Sequence, residues 1–197
     1  MHDKVKDCKL VEESEKIFNI ALERLKQNYR NYTFFAERDV VWKTQLTLIE
    51  LIKGRNLPLK VFNSYPIKLK KGKRSRTPDI AIVDEQGEVF LVAEFKYEPD
   101  HQRAYKPQNL KHKEEKNSAS RRNIWHTKLE PSVVDWQAVK KDRKRLNNFV
   151  KRGNTEVGVL VFIDEGGKYA HKPPLKGAMW EEWGKKTRAL ICGLRKR

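Results

Sequence analysis

With 197 residues and 38% apolar content, the chain is long enough for one domain with a real core, needing neither disulfides nor a structural metal. Its 43 Lys and Arg against 26 Asp and Glu give a formal charge of +17, and self-repulsion on that scale points to a polyanionic partner, nucleic acid ahead of a membrane surface. Only two cysteines, Cys8 and Cys192, are present, far apart and in no CxxC spacing, which argues against a disulfide framework or zinc site and suits a reducing interior.

Met1-His2-Asp3-Lys4 leads into charged residues without the apolar core of a secretory signal. No apolar run approaches the roughly 20 residues of a membrane span. A soluble, cytoplasmic protein is expected. Val11 to Tyr29 places Ile17, Ile20, Ala21 and Leu25 at helical spacing and predicts an amphipathic N-terminal helix. A second helix is predicted from about Phe35 to Ile52, stopping near Gly54. Val61 to Leu69 reads as a strand, with Pro66 suggesting an edge position or a bulge. Lys70 to Arg76 is a basic loop. Asp79 to Val83 and Val89 to Lys96 read as two strands joined by a turn at Glu85-Gln86-Gly87-Glu88, an antiparallel hairpin.

Residues 98–130 lack apolar periodicity and form a basic loop or insertion. Ser132, with Asp135 three residues on, is the predicted N-cap of a helix carrying Val133, Trp136, Val139, Leu146 and Phe149 and ending before Gly153. Val157 to Ile163 is continuously apolar, as a strand buried on both faces should be. Beyond Gly166-Gly167 the signals weaken. Thr187 to Leu194 suggests a last strand, and Trp180 and Trp183 are expected to pack against the body. The order predicts an α/β fold, a central mixed sheet flanked by helices. One domain spans 1–197: an N-terminal helix at 1–30, a core at about 35–163 that includes the 98–130 insertion, and a C-terminal extension at 167–197.

The chemically informative segment is Pro78-Asp79, then fourteen residues, then Glu94-Phe95-Lys96. Alternate strand residues share a face, so Glu94 and Lys96 point together while Phe95 points into packing on the other side. The hairpin brings Asp79 roughly opposite them. Two carboxylates that close repel unless a cation joins them, and a hard divalent ion such as Mg²⁺ is the natural candidate. Lys96 is placed to orient or deprotonate an attacking water. A plain surface ion pair is the alternative. Against it, Glu94 follows Val89-Phe90-Leu91-Val92-Ala93, a central-strand sequence where idle charge is costly.

Pro78-Asp79 and Glu94-Phe95-Lys96, within an αβββαβ order from about Phe35 to Ile163, resemble the PD-(D/E)XK nuclease superfamily, the restriction-endonuclease-like fold. The resemblance covers about two thirds of the chain. It implies a metal-dependent endonuclease of DNA, or less often RNA, that uses Mg²⁺ with Mn²⁺ as a substitute. Many members place an acidic residue on the helix before the first core strand. Of Glu37, Asp39 and Glu50, Glu37 lies at the edge of the apolar helix face and is the expected auxiliary metal or water ligand. A first-turn Glu exposed to solvent and stabilised by the helix dipole is the alternative. Gln45 falls on the buried face.

Lys68, Lys70, Lys71, Lys73, Arg74 and Arg76 lie directly upstream of Asp79, where a phosphate backbone would run. The insertion adds Arg121 and Arg122 among other cations, interleaved with Tyr105 and Trp125. Lys140 to Arg145 is basic too, a further phosphate-facing stretch or simply the solvated face of its helix, and His101, His112, His126 and His171 have no metal-ligand spacing. Two other functions fit the same pattern: a binding subunit of this fold that is idle or awaits a partner, and an RNA-processing nuclease. A homodimer would supply the two sites that cutting both strands of a duplex requires.

Overall fold

A computed structural model describes residues 2–34, 36–67, 76–100 and 134–196 of the chain. Helices α1 (His2–Gln27), α2 (Glu37–Gly54) and α3 (Trp136–Lys151) accompany strands β1 (Lys60–Asn63), β2 (Ile80–Val83), β3 (Val89–Glu98), β4 (Val157–Asp164), β5 (Ala178–Glu182) and β6 (Arg188–Arg195). The strands form one mixed sheet in the order β1-β2-β3-β4-β6-β5. Only β3 and β4 are parallel, Glu94 lying beside Leu160 and Glu98 beside Asp164, and α3 lies in the crossover between them. No helix among the described residues is long and apolar enough to cross a membrane.

The sheet is covered on both faces, which is why β4 is buried along its whole length. One face, with Ile80, Ile82, Ala93, Phe95, Val159 and Val161, packs against Ile17, Phe18 and Ala21 of α1 and Val40, Val41 and Leu48 of α2. The other, with Ala81, Val92, Leu160, Phe162, Leu190 and Cys192, packs against Val139, Leu146 and Phe149 of α3. Phe95 contacts Phe18, so it points away from its neighbours Glu94 and Lys96, as strand alternation requires.

Several sequence expectations need correction. The first helix begins at His2 rather than Val11, and a 3₁₀ turn at Tyr29–Asn31 follows it. β1 stops at Asn63 instead of reaching Leu69, because Ser64 has a left-handed φ of 57° that ends the pleat before Pro66 is reached. β1 is indeed an edge strand. The third helix starts at Trp136, where the Asp135 side chain accepts from Gln137 N at 3.0 Å, so Asp135 is the N-cap expected of Ser132. Val133 precedes the helix, and both it and Ser132 lie outside the described residues. Gln45 is half-buried rather than buried. The C-terminal segment is more than an extension. It supplies β6, which pairs with β4 along eight residues, and β5, which the sequence pattern did not reveal. Trp183 is buried and Trp180 stacks on Trp136, as packing against the body predicts.

Buried carboxylates gather where the parallel strands end. Glu98, Asp164 and Glu165 are all buried, and each accepts hydrogen bonds from neighbouring groups. Asp164 accepts from Lys168 N and Tyr169 N at 3.0 and 2.7 Å, Glu165 from Tyr97 Oη at 2.7 Å and Asp100 N at 3.0 Å, and Glu98 from Val134 N at 2.5 Å. Glu98 thereby pins the chain where it returns from residues 101–133 to the carboxyl end of β3.

Candidate active site

The β2–β3 hairpin fixes the geometry. Ile80 faces Ala93, so the next residues along the two chains, Asp79 and Glu94, face each other, and both lie on the α3 side with Ala81 and Val92. Asp79 Oδ2 accepts from Phe95 N at 2.7 Å, which holds its side chain against β3. The turn is tied by Asp84 Oδ1, which accepts from Glu88 N at 2.8 Å, and this sets the register that makes the pairing. Pro78 is buried, and Ser64 N donates to Asp79 O at 3.4 Å, docking the end of β1 against the same residue.

Lys96 is gripped from both helix layers. Its Nζ lies 3.1 and 2.9 Å from the two carboxylate oxygens of Glu37 on α2, 3.0 Å from Phe95 O, and 3.3 Å from Asp142 Oδ2 on α3. The contact with Asp142 has ion-pair reach without hydrogen-bond alignment. Asp39 and Glu50, the other acidic candidates on α2, stand outside this group. Asp39 accepts from Ala36 N at 2.9 Å and closes the helix start, and Glu50 is exposed.

Two site residues escaped the sequence reading. Arg145, expected on a solvated face, donates instead to Glu94 Oε2 and lies 3.0 Å from Asp142 Oδ1. Asp142 is buried beneath both cations. The sequence held a signal for it: Asp142 falls on the apolar stripe Val139-Leu146-Phe149 at helical spacing, and a carboxylate on a buried stripe needs a partner. Glu94 is fully buried, and its Oε1 has no hydrogen-bond partner among the described residues.

Burial dominates the electrostatics. It raises Glu94 first, the Asp79 charge adds to it, and Arg145 offsets only part, leaving the carboxyl at about 8. Burial also raises Glu37 against the pull of Lys96, and raises Asp79 against the Phe95 N–H and the Lys96 and Arg145 charges. For Lys96 burial acts downward, but Glu37, Asp142 and Asp79 outweigh it and the net shift is upward.

The donor set suits a hard divalent cation: two facing carboxylates, one of them with a buried oxygen left over. Among the described residues no three His, Cys, Asp or Glu side chains already stand as a cation-holding group. The carboxylates are drawn onto Lys96, Arg145 and Phe95 N instead, so Glu37 could turn to a metal only by giving up Lys96.

Of the expected nucleic-acid contacts, Arg76 is exposed and bridges to Ile67 through Ile67 N to Arg76 O at 2.9 Å and Arg76 N to Ile67 O at 3.1 Å. The ends of the basic loop are therefore tied together three residues before Asp79. Lys68, Lys70, Lys71, Lys73 and Arg74 lie outside the described residues, as do Arg121, Arg122, Tyr105, Trp125, His101, His112 and His126. His171 is exposed. The chain matches no protein-family model and no curated protein.

Proposed function

We propose that the protein is a metal-dependent endonuclease of the PD-(D/E)XK type with a restriction-endonuclease-like core, cutting DNA in preference to RNA. The observation that carries the reading is the facing pair Asp79 and Glu94 with Lys96 on the same sheet face, the exposed Arg76 lying three residues before Asp79. Asp79 and Glu94 would hold Mg²⁺, or Mn²⁺ in its place. The bound ion would polarise a phosphodiester oxygen and acidify a coordinated water.

This chain's own residues do the rest. Lys96, with its pKa raised, stays an ammonium at neutral pH. It therefore serves the attacking water as a donor that orients it, and offsets charge building on the phosphoryl oxygens, rather than removing a proton. Glu37 and Phe95 O aim the ammonium. Asp142 holds the two cations Lys96 and Arg145 apart from each other and near the carboxylates.

Cleavage of supercoiled plasmid, single-stranded DNA and RNA, with Mg²⁺, Mn²⁺ or EDTA, tests the assignment beside Asp79→Ala. Metal-dependent cutting lost in the variant is expected, strongest on DNA. One observation favours a second reading: Arg145 already occupies Glu94 Oε2, a carboxyl oxygen that a metal would need. A binding subunit whose site is permanently filled by that arginine would bind DNA in a salt-sensitive way and cut nothing under either metal.

A further inference from the structure

Beyond the carboxyl ends of β3 and β4 lies an open cavity of about 750 Å³ that the site described above does not use. Its cationic lining is Lys168, from the turn after β4, and Lys185, Lys186 and Arg188, from the β5–β6 hairpin. We propose that this cavity is a second phosphate-backbone site, gripping the same nucleic-acid strand whose scissile bond lies at Lys96. The inference rests on the nucleic-acid reading of the active site and adds where the strand continues.

Two of the cations are fixed in advance. Arg188 Nε lies 2.7 Å from Glu182 and its guanidinium sits 5.7 Å from the centre of the Trp180 ring. Lys168 Nζ lies 3.3 Å from Glu98 Oε1. The other two, Lys185 and Lys186, are exposed at the hairpin tip, where Trp183 N and Gly184 N both donate to Thr187 O at 2.9 and 3.1 Å and hold the turn. No ion pair to either is found among the described residues, so their charge is available to a ligand.

The floor is built for close approach. Gly166 and Gly167 line it without side chains, and Gly167 has a φ of +70° that favours glycine. Glu182 offsets Arg188 and the buried Glu98 offsets Lys168, so the cations left to meet a ligand are Lys185 and Lys186, beside one further lining carboxylate, Asp100. That balance suits a strand with one charge per phosphate better than a compact, multiply charged nucleotide.

Position supplies the link to the chemistry. The cavity begins at Pro99 and Asp100, three residues past Lys96 on β3, or roughly 10 Å along the strand. Glu98 lies between them and is bonded to Lys168, so one strand direction connects the two sites. The cavity and Lys96 thus share the carboxyl end of the parallel pair, where ligands of α/β sheets generally gather.

The test is the salt dependence of binding to a short DNA duplex with 5′-hydroxyl ends, in EDTA so that nothing is cut. Lys185→Ala/Lys186→Ala is compared with Lys53→Ala/Lys151→Ala, exposed residues at the carboxyl ends of α2 and α3 that remove the same total charge. The first pair is expected to lower the slope of log K against log salt by about 1.8, and the second to leave it unchanged. Equal loss in both pairs, or none in the first, overturns the proposal while leaving nucleic-acid binding intact. Tighter binding of 5′-phosphorylated duplex that vanishes in the first pair would make the cavity a strand-end site and overturn the backbone assignment. No salt-sensitive binding by the native chain would overturn both this proposal and the nuclease reading beneath it.

Discussion

Arg145 on α3 donates to the buried Glu94 carboxylate on β3 and leaves the other oxygen of that carboxylate without a hydrogen-bond partner among the described residues. A protein cation thus occupies the position where a bound metal would balance the same charge. Removing one partner of a buried pair commonly costs about 3–5 kcal/mol. Here the Arg145 side chain is 29% exposed and Glu94 can take up a proton, so Arg145→Ala is expected to cost about 2 kcal/mol. Mg²⁺ should restore much of that loss and should raise the melting temperature of the variant more than that of the native protein. Thermal unfolding in Mg²⁺ and in EDTA measures both. Equal Mg²⁺ shifts in the two proteins would mean that no metal competes with Arg145 for Glu94.

Glu37 aims Lys96 through both carboxylate oxygens and, with Asp142 and Asp79, pulls its pKa upward against burial. Lys96→Ala is expected to abolish cleavage with DNA affinity nearly intact. Glu37→Gln keeps the size of the side chain and removes its charge, so it should lower kcat by about tenfold or more while leaving KM little changed. Single-turnover cleavage beside a binding assay separates the two effects. Retained cutting by Lys96→Ala would remove the lysine from the mechanism.

Glu94 is held up to about 8, first by burial and then by the Asp79 charge, so at neutral pH the folded protein keeps a proton that the unfolded chain has released. The native state then binds more protons, and stability falls as pH rises from the ordinary carboxylate value of 4.5 through about 8. Asp79 and Glu37 are shifted the same way and add to the slope. Glu94→Gln is neutral throughout and should flatten the profile, gaining on the native protein as pH rises, by an amount on the order of a few kcal/mol. Metal binding runs oppositely. It requires the ionised carboxylate, so it releases protons and should tighten over the same window. Urea unfolding across this range, with and without Mg²⁺, reads both trends; a Glu94→Gln profile parallel to the native one would place the slope elsewhere.

How far the sequence predicted this arrangement follows from the range of each interaction. The hairpin was legible because its turn residues and its two short apolar runs are local, and Asp79, Glu94 and Lys96 come together through that hairpin alone. Glu37 was legible only once the family resemblance pointed to its helix, where the helical phase set it apart from Asp39 and Glu50. Arg145 was not, since lysines and arginines from 140 to 145 look like a solvated face until α3 is laid on the sheet and Glu94 is found beneath it. β5 lies at a sheet edge with none of its residues buried and Met179 67% exposed, so it offers no long apolar run to notice. Its pairing with β6 is a contact between strands, invisible to a reading of either alone.

Gly158 decides how closely α3 sits on the sheet. It lies on the α3 face of β4, and a Cβ there would stand 3.2 Å from Val150 Cγ2 and 3.4 Å from Leu146 Cβ. Both contacts are on α3, the helix that carries Asp142 and Arg145 to the site. Their neighbours in the close-packed interior leave little room to yield, so Gly158→Ala should cost about 1–2 kcal/mol by overpacking, and Gly158→Val more. The displacement should also reach the site. Lifting α3 loosens Arg145 from Glu94 and Asp142 from Lys96, while Asp79 and Glu37, held by β3 and α2, stay in place. Gly158→Ala is therefore expected to reduce cleavage in proportion to its lost stability, with DNA binding through the basic loop unaffected. Urea unfolding beside cleavage rates measures the coupling. Stability lost with full cleavage retained would show that the position of α3 does not set the geometry around Lys96.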